Sequence, residues 1–324
     1  MDEKQYIGQA RRRMNLVGFT TLIYYAMMNF FVTLVMIVDA VVFAVKRVMQ
    51  AQPLDFDIVM EYLLDSITSN GWGYILCVLV GALILLLWKR KAFWKNEMFA
   101  TERKMTVGTF FKLLTVFLSA QLFAQLFSVA LEWLLNLMGL SATAALEAAA
   151  ITSTGFSMFL YITILGPISE ELLFRGFLLR MLKPWGKQTA ILVSALIFGL
   201  FHGNVIQVPF AFLVGLVLGY VTVEYSILWA IVLHIFNNLV MSDLFGRLAQ
   251  VIPETVSSVL LYGILLACTA VAVVLVIRNR DRVKEFFTAN PCDRKAMLAM
   301  VTSPGVLIFS TIMLLMSLLT ITRA

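Results

Sequence analysis

Apolar runs of about 20 residues recur along this chain, and no other feature narrows its fold so far. A helix of that length crosses the hydrocarbon core of a bilayer. In lipid the backbone must satisfy its own hydrogen bonds, so such runs fold as helices. Nine candidate spans lie near residues 17–45, 72–88, 107–138, 153–174, 188–202, 205–222, 226–245, 256–277 and 304–321. The expectation is an all-α polytopic membrane protein with eight or nine transmembrane helices. The fifth and sixth runs are short and separated only by Gly203 and Asn204, so they form either a tight helical hairpin or a re-entrant pair. Composition agrees: 61% of residues are hydrophobic and 14% charged, against about 45–50% and about 25% in soluble domains.

The net charge of +6 does not point to nucleic acid, because the basic residues cluster between the apolar runs. With a cytoplasmic N-terminus, the inner segments hold twenty of them. These are Lys4 and Arg11 to Arg13, six between Lys89 and Lys104, then Arg175, Arg180, Lys183 and Lys187, and six between Arg278 and Lys295. The outer segments hold four: Lys46, Arg47, Arg247 and Arg323. That asymmetry places the N-terminus inside and the C-terminus outside. The basic 278–303 stretch suits a surface against anionic headgroups, so membrane lipids are expected partners and nucleic acid is not. An amphipathic stretch at 58–67 suggests a short surface helix within 47–71. The first apolar run is too long for a cleavable signal peptide. Three cysteines, Cys77, Cys268 and Cys292, lack paired spacing and read as small apolar residues. No internal repeat or soluble insert is visible, so residues 1–324 are expected to form one transmembrane domain. Size and loop economy suggest a prokaryotic plasma membrane.

Ionisable groups at membrane depth are costly and usually functional. Here they are few. Ser169-Glu170-Glu171-Leu172-Leu173-Phe174-Arg175 ends the fourth run. On a helix Glu171 and Arg175 are four apart and can pair. Glu170 points roughly 100° away and is left free to act as a general base. Solvation at the inner interface is the bland alternative. The only two histidines are His202, in Phe198-Gly199-Leu200-Phe201-His202, and His234, in His234-Ile235-Phe236-Asn237-Asn238. His234 and Asn238 share a face, and interhelical hydrogen bonding explains them as well as chemistry does. Asn237 points off that face and reads as packing. Glu170 and His202 lie at similar heights above the Lys183–Lys187 turn, roughly 20 Å at 1.5 Å per residue. His234 fits that depth only if the seventh span is tilted or starts late. Pro167 is expected to break the fourth span and open room beside the glutamates. Gln121 and Gln125 read as hydrogen-bonding a neighbouring helix, Glu132, Asn136 and Asp39 as outer-end residues, and Gly215 with Gly219 as a close-packing pair.

Glu-Glu-x-x-x-Arg at 170–175, Phe-x-x-x-His at 198–202 and His-x-x-x-Asn at 234–238 resemble, in order and spacing, the motifs of the CPBP (Abi) family, which holds the type II CAAX prenyl endopeptidases and bacteriocin-processing or immunity proteins. The resemblance covers about residues 150–245, the expected catalytic core. It implies an intramembrane endopeptidase acting on a membrane-associated peptide or protein, lipid-modified ones included, with its site in a cavity between spans 4, 5 and 7. Glu170 would activate water with help from His202, His234 and Asn238 would stabilise the oxyanion, and Glu171 with Arg175 would hold the site together. The cofactor stays open. His202, His234 and a glutamate could make a His₂Glu zinc site, but the His-Glu-x-x-His helix is absent and Asn238 is a poor zinc ligand, which favours a metal-free mechanism. The competing reading is a non-enzymatic transporter, immunity or scaffold protein using the same buried polar residues.

Overall fold

The computed structural model describes residues 2–88, 91–149 and 153–324, with the backbone alone for Ala92 and Lys95. Lys89 and Arg90, counted among the inner charges, and Ala150, the expected start of the core, lie outside the described residues. The described chain is almost wholly helical, apart from a two-residue antiparallel ladder joining Leu140–Ser141 to Thr322–Arg323.

Six helices are long and apolar enough to cross a membrane: Glu3–Met49, Val107–Asn136, Phe156–Trp185, Gln207–Glu224, Ile227–Val251 and Glu254–Arg278. Two bent pairs bring the number to eight among the described residues. Phe56–Ser69 meets Trp72–Trp88 at 48°, and Arg294–Val301 meets Pro304–Leu319 at 62°. Of the expected eight or nine spans, eight falls within this range and nine exceeds it. The fifth run forms only the 15-residue helix Lys187–Phe201, roughly 22 Å long and short of a full span. It packs along Gln207–Glu224 as a helical hairpin. Gly203 turns the chain with φ +56°, a conformation cheap only for glycine. Asn204 Oδ1 then accepts from the amides of Ile206 and Gln207 and caps the second arm.

Local chemistry sets other helix starts. Asp2, Asp55, Thr106 and Asp293 each accept a backbone N–H from the first turn of the helix that follows. The 47–71 segment holds the longer helix Phe56–Ser69, and the basic 278–303 stretch is two helices, Arg280–Ala289 and Arg294–Val301. Burial follows membrane logic. Along Glu254–Arg278, Leu265 and Ala272 are buried while Val259, Leu266, Val273 and Ile277 are exposed. An exposed apolar face is stable against lipid, and the chain is an integral membrane protein.

The basic segments converge at one end of the bundle. Lys183 pairs with Glu102 at 2.8 Å, Lys187 and Arg103 share Glu224 at 2.7 and 3.4 Å, and Gln188 donates to the Phe287 carbonyl. Lys295 pairs with Glu3, and Tyr6 donates to Asp293. Arg175 is not among them. Counted from the sequence as an inner-loop charge, it is fully buried inside the bundle.

Candidate active site

Pro167 does not break its helix. The chain stays helical from Phe156 to Trp185, but two stretches, Tyr161–Leu165 and Leu172–Leu179, are π-helical. A π turn pairs each carbonyl with the amide five residues on, and such widened turns cluster at functional sites. The first precedes Pro167; the second begins just after Glu171. The Ile227–Val251 helix widens likewise over Asn237–Leu244, just past His234.

Three helices bring the motif residues together. Glu171 is fully buried, and its Oε1 accepts from Arg175 Nη1 at 2.9 Å and from His234 Nδ1 at 3.0 Å. The other ring nitrogen, His234 Nε2, lies 3.7 Å from Glu170 Oε2. One imidazole therefore spans both carboxylates. The helical wheel separated the roles of the two glutamates but did not show that His234 bridges them. An ionised carboxylate only accepts, so the Glu171 contact puts a proton on Nδ1. Nε2 is then a lone pair facing Glu170 in neutral histidine, or a second donor in the imidazolium.

Arg175 is held on three sides. Besides Glu171, it donates from Nη2 to the Gly215 carbonyl at 3.3 Å, and its guanidinium lies 4.1 Å from the centre of the Phe198 ring. A Cβ at Gly215 would meet Ala195 at 3.1 Å and Phe198 at 3.2 Å, so the glycine is what lets the hairpin arms close on the arginine. Phe198 also stands edge-on to both histidines, with centroid distances of 5.0 Å to His202 and 5.9 Å to His234. Phe198 and His202 are one turn apart, so the Phe-x-x-x-His spacing itself builds this contact. His202 Nδ1 is 2.9 Å from the Phe198 carbonyl, which only accepts, so Nδ1 carries the proton and Nε2 is an acceptor. Through the Phe198 ring, His202 shares one neighbour with His234 and Arg175.

The depth mismatch of His234 resolves through a late start. Ile227, the first residue of its helix, is buried against Gly176; a Cβ there would meet Ile227 Cδ1 at 3.2 Å. From that level His234 is seven residues on and Glu171 five residues back, roughly 10 and 8 Å along antiparallel helices.

Asn238 donates to the Ile162 carbonyl at 3.0 Å and accepts from Asn237 at 3.0 Å, and Asn237 in turn accepts from Gln121 at 2.5 Å. Asn237 was read as packing. The π segment that starts at Asn237 changes the angular step, and the buried amide instead links two helices.

Sequence reasoning also missed an aromatic wall. Tyr161 stacks on Tyr74 with ring centroids 4.5 Å apart, and Tyr24 packs 6.0 Å from the ring of Phe201, the neighbour of His202. Tyr24 and Tyr74 come from helices outside the motif core, and single tyrosines in apolar runs carry no motif that would single them out.

Residues 152–240 match the type II CAAX prenyl endopeptidase Rce1-like family. The family resemblance carried by the three motifs is thereby borne out, and all three motifs lie inside the matched segment. The Rce1-like segment takes in the Phe156–Trp185 helix, the hairpin, and the start of Ile227–Val251, while Gln121, Tyr24 and Tyr74 lie outside it. No curated protein and no solved structure matches the chain. Among the described residues, no group of three or more His, Cys, Asp and Glu side chains is arranged to hold a metal ion. The two glutamates and His234 are instead engaged with one another and with Arg175.

Proposed function

We propose that the chain is an intramembrane endopeptidase that hydrolyses a peptide bond in a membrane-associated peptide or protein, lipid-modified ones included. One observation carries the reading: within the Rce1-like segment, His234 lies between a carboxylate locked by Arg175 and a second, Glu170, that pairs with no arginine among the described residues. Glu170, with 19% of its side chain exposed, is the more accessible of the two.

Glu170 takes a proton from water as the oxygen attacks the peptide carbonyl carbon, and His202 Nε2 accepts a hydrogen bond from the same water. The carbonyl oxygen becomes an oxyanion, which His234 Nε2–H, in the imidazolium state, and the Asn238 amide stabilise. Collapse breaks the C–N bond, and the proton held by Glu170 passes to the leaving nitrogen. Each oxyanion donor in a site shielded from water supplies about 3–4 kcal/mol. Glu171 and Arg175 orient the imidazole and touch no substrate. The basic end, where the N-terminal segment meets three charged loops, faces the cytoplasm and its anionic lipids. A prokaryotic plasma membrane is the proposed setting.

The test uses the full chain in lipid nanodiscs with a peptide lipid-modified near its C-terminus, and products read by mass spectrometry. Cleavage by the wild type and none by Glu170→Ala is expected. Equal cleavage by both removes Glu170 from the mechanism.

A further inference from the structure

Gln121 belongs to the Val107–Asn136 helix, outside the three motifs and the matched segment. It begins a chain of side-chain amides: Gln121 Nε2 donates to Asn237 Oδ1 at 2.5 Å, Asn237 Nδ2 to Asn238 Oδ1 at 3.0 Å, and Asn238 Nδ2 to the Ile162 carbonyl at 3.0 Å. The direction of this chain is set at its far end. Ile162 sits in the first π segment, where its carbonyl would pair with the amide of residue 167. That residue is Pro167, which has no N–H to give. The carbonyl is an acceptor left to a side chain, so Asn238 must turn its NH₂ towards it. Asn238 Oδ1 then faces the NH₂ of Asn237, and Asn237 Oδ1 faces the NH₂ of Gln121. Reversing any one amide would set two acceptors or two donors against each other.

An amide NH₂ carries two hydrogens, and Asn238 gives one of them to Ile162. We propose that Gln121 and Asn237 are positioning residues that fix the rotation of the Asn238 amide, so that its second N–H is held ready for the oxyanion. This rests on the role given to Asn238 above. Freed from the chain, Asn238 rotates, and the donor no longer waits in place when charge develops. Gln121 touches no reacting atom and acts only through the two asparagines.

The experiment compares wild type, Gln121→Met, Asn238→Ala and the double variant on the lipid-modified peptide, with thermal unfolding as the control for folding. Methionine keeps the length of the side chain and removes the amide donor. Gln121→Met should lower kcat about tenfold, a fraction of what a lost oxyanion donor costs, with KM unchanged. It should lower activity no further in the Asn238→Ala background, because the two changes act on one element. Losses that multiply in the double variant overturn the proposal. A second reading is independent of activity. In protein labelled with ¹⁵N at asparagine side chains, Gln121→Met should shift the Asn237 and Asn238 amide signals and speed their hydrogen exchange; unchanged signals overturn the chain. A wild type that cleaves no peptide counts against the proposed function, and the amide spectra then decide the hydrogen-bonded chain by themselves.

Discussion

Two carboxylate–arginine pairs, Glu171–Arg175 and Asp243–Arg247, have the same spacing of four and nearly the same contact distance, 2.9 and 2.7 Å. Both sit on helices with π segments. Their surroundings differ. Arg175 has no exposed side-chain surface, while 47% of Arg247 is exposed. Arg175 is also clamped by Gly215 and Phe198, and Glu171 gives the same oxygen to His234. Among the described residues, Arg247 reaches Asp243, the Ser153 carbonyl and hydroxyl, and the Phe159 ring. Identical spacing thus yields a rigid charged core in one place and a latch to the 153 segment in the other. Both carboxylates are buried, so what decides is the desolvation around each arginine, which sequence spacing does not encode.

The sharpest way to break that contrast is to remove each arginine. Arg175→Met leaves the Glu171 carboxylate buried without its main counter-charge, a change that costs about 3–5 kcal/mol. A large drop in unfolding temperature in detergent is expected, together with loss of cleavage. Glu170→Gln should cut cleavage by about 10²–10⁴-fold, the usual worth of a positioned general base, while unfolding stays close to wild type. A matching loss of stability would make Glu170 structural. Arg247→Met removes a half-exposed partner and should lower the unfolding temperature less than Arg175→Met does, with cleavage retained; losses equal to those of Arg175→Met would erase the distinction.

A fourth, smaller effect lies at the basic end. The hydrogen bond from Lys183 holds the Glu102 carboxyl below its ordinary value of 4.5. A lowered folded-state value means the pair stabilises the protein at neutral pH, and that this contribution is lost as the pH falls from about 4.5 through the folded value. With 41% of Glu102 exposed, it amounts to under about 1 kcal/mol. Glu102→Gln should lower the unfolding temperature slightly at pH 7 and not at pH 3.

Much of this was legible in the chain. Apolar run lengths marked the membrane helices, though not their number. The run at 188–202 meets the composition test but yields a helix too short to span, because Gly186 and Gly203 bound it. The Glu171–Arg175 spacing and the Gly215–Gly219 pair foretold the contacts found. Asn237 was misread, because a regular helical wheel assumes a constant turn and the π segment breaks it. The bridging of Glu170 and Glu171 by His234 was hidden for a different reason: it depends on how far along its own axis the seventh helix starts, which is set by Ile227 meeting Gly176.

Glu171 pins His234 by Nδ1 and turns Nε2 towards Glu170. The chain has only two histidines, so ¹⁵N-histidine NMR in nanodiscs reads it directly. A protonated, hydrogen-bonded Nδ1 on His234 is expected, altered by Glu171→Gln and untouched by Asp243→Asn. A His234 protonated only at Nε2, and indifferent to Glu171, would contradict the account.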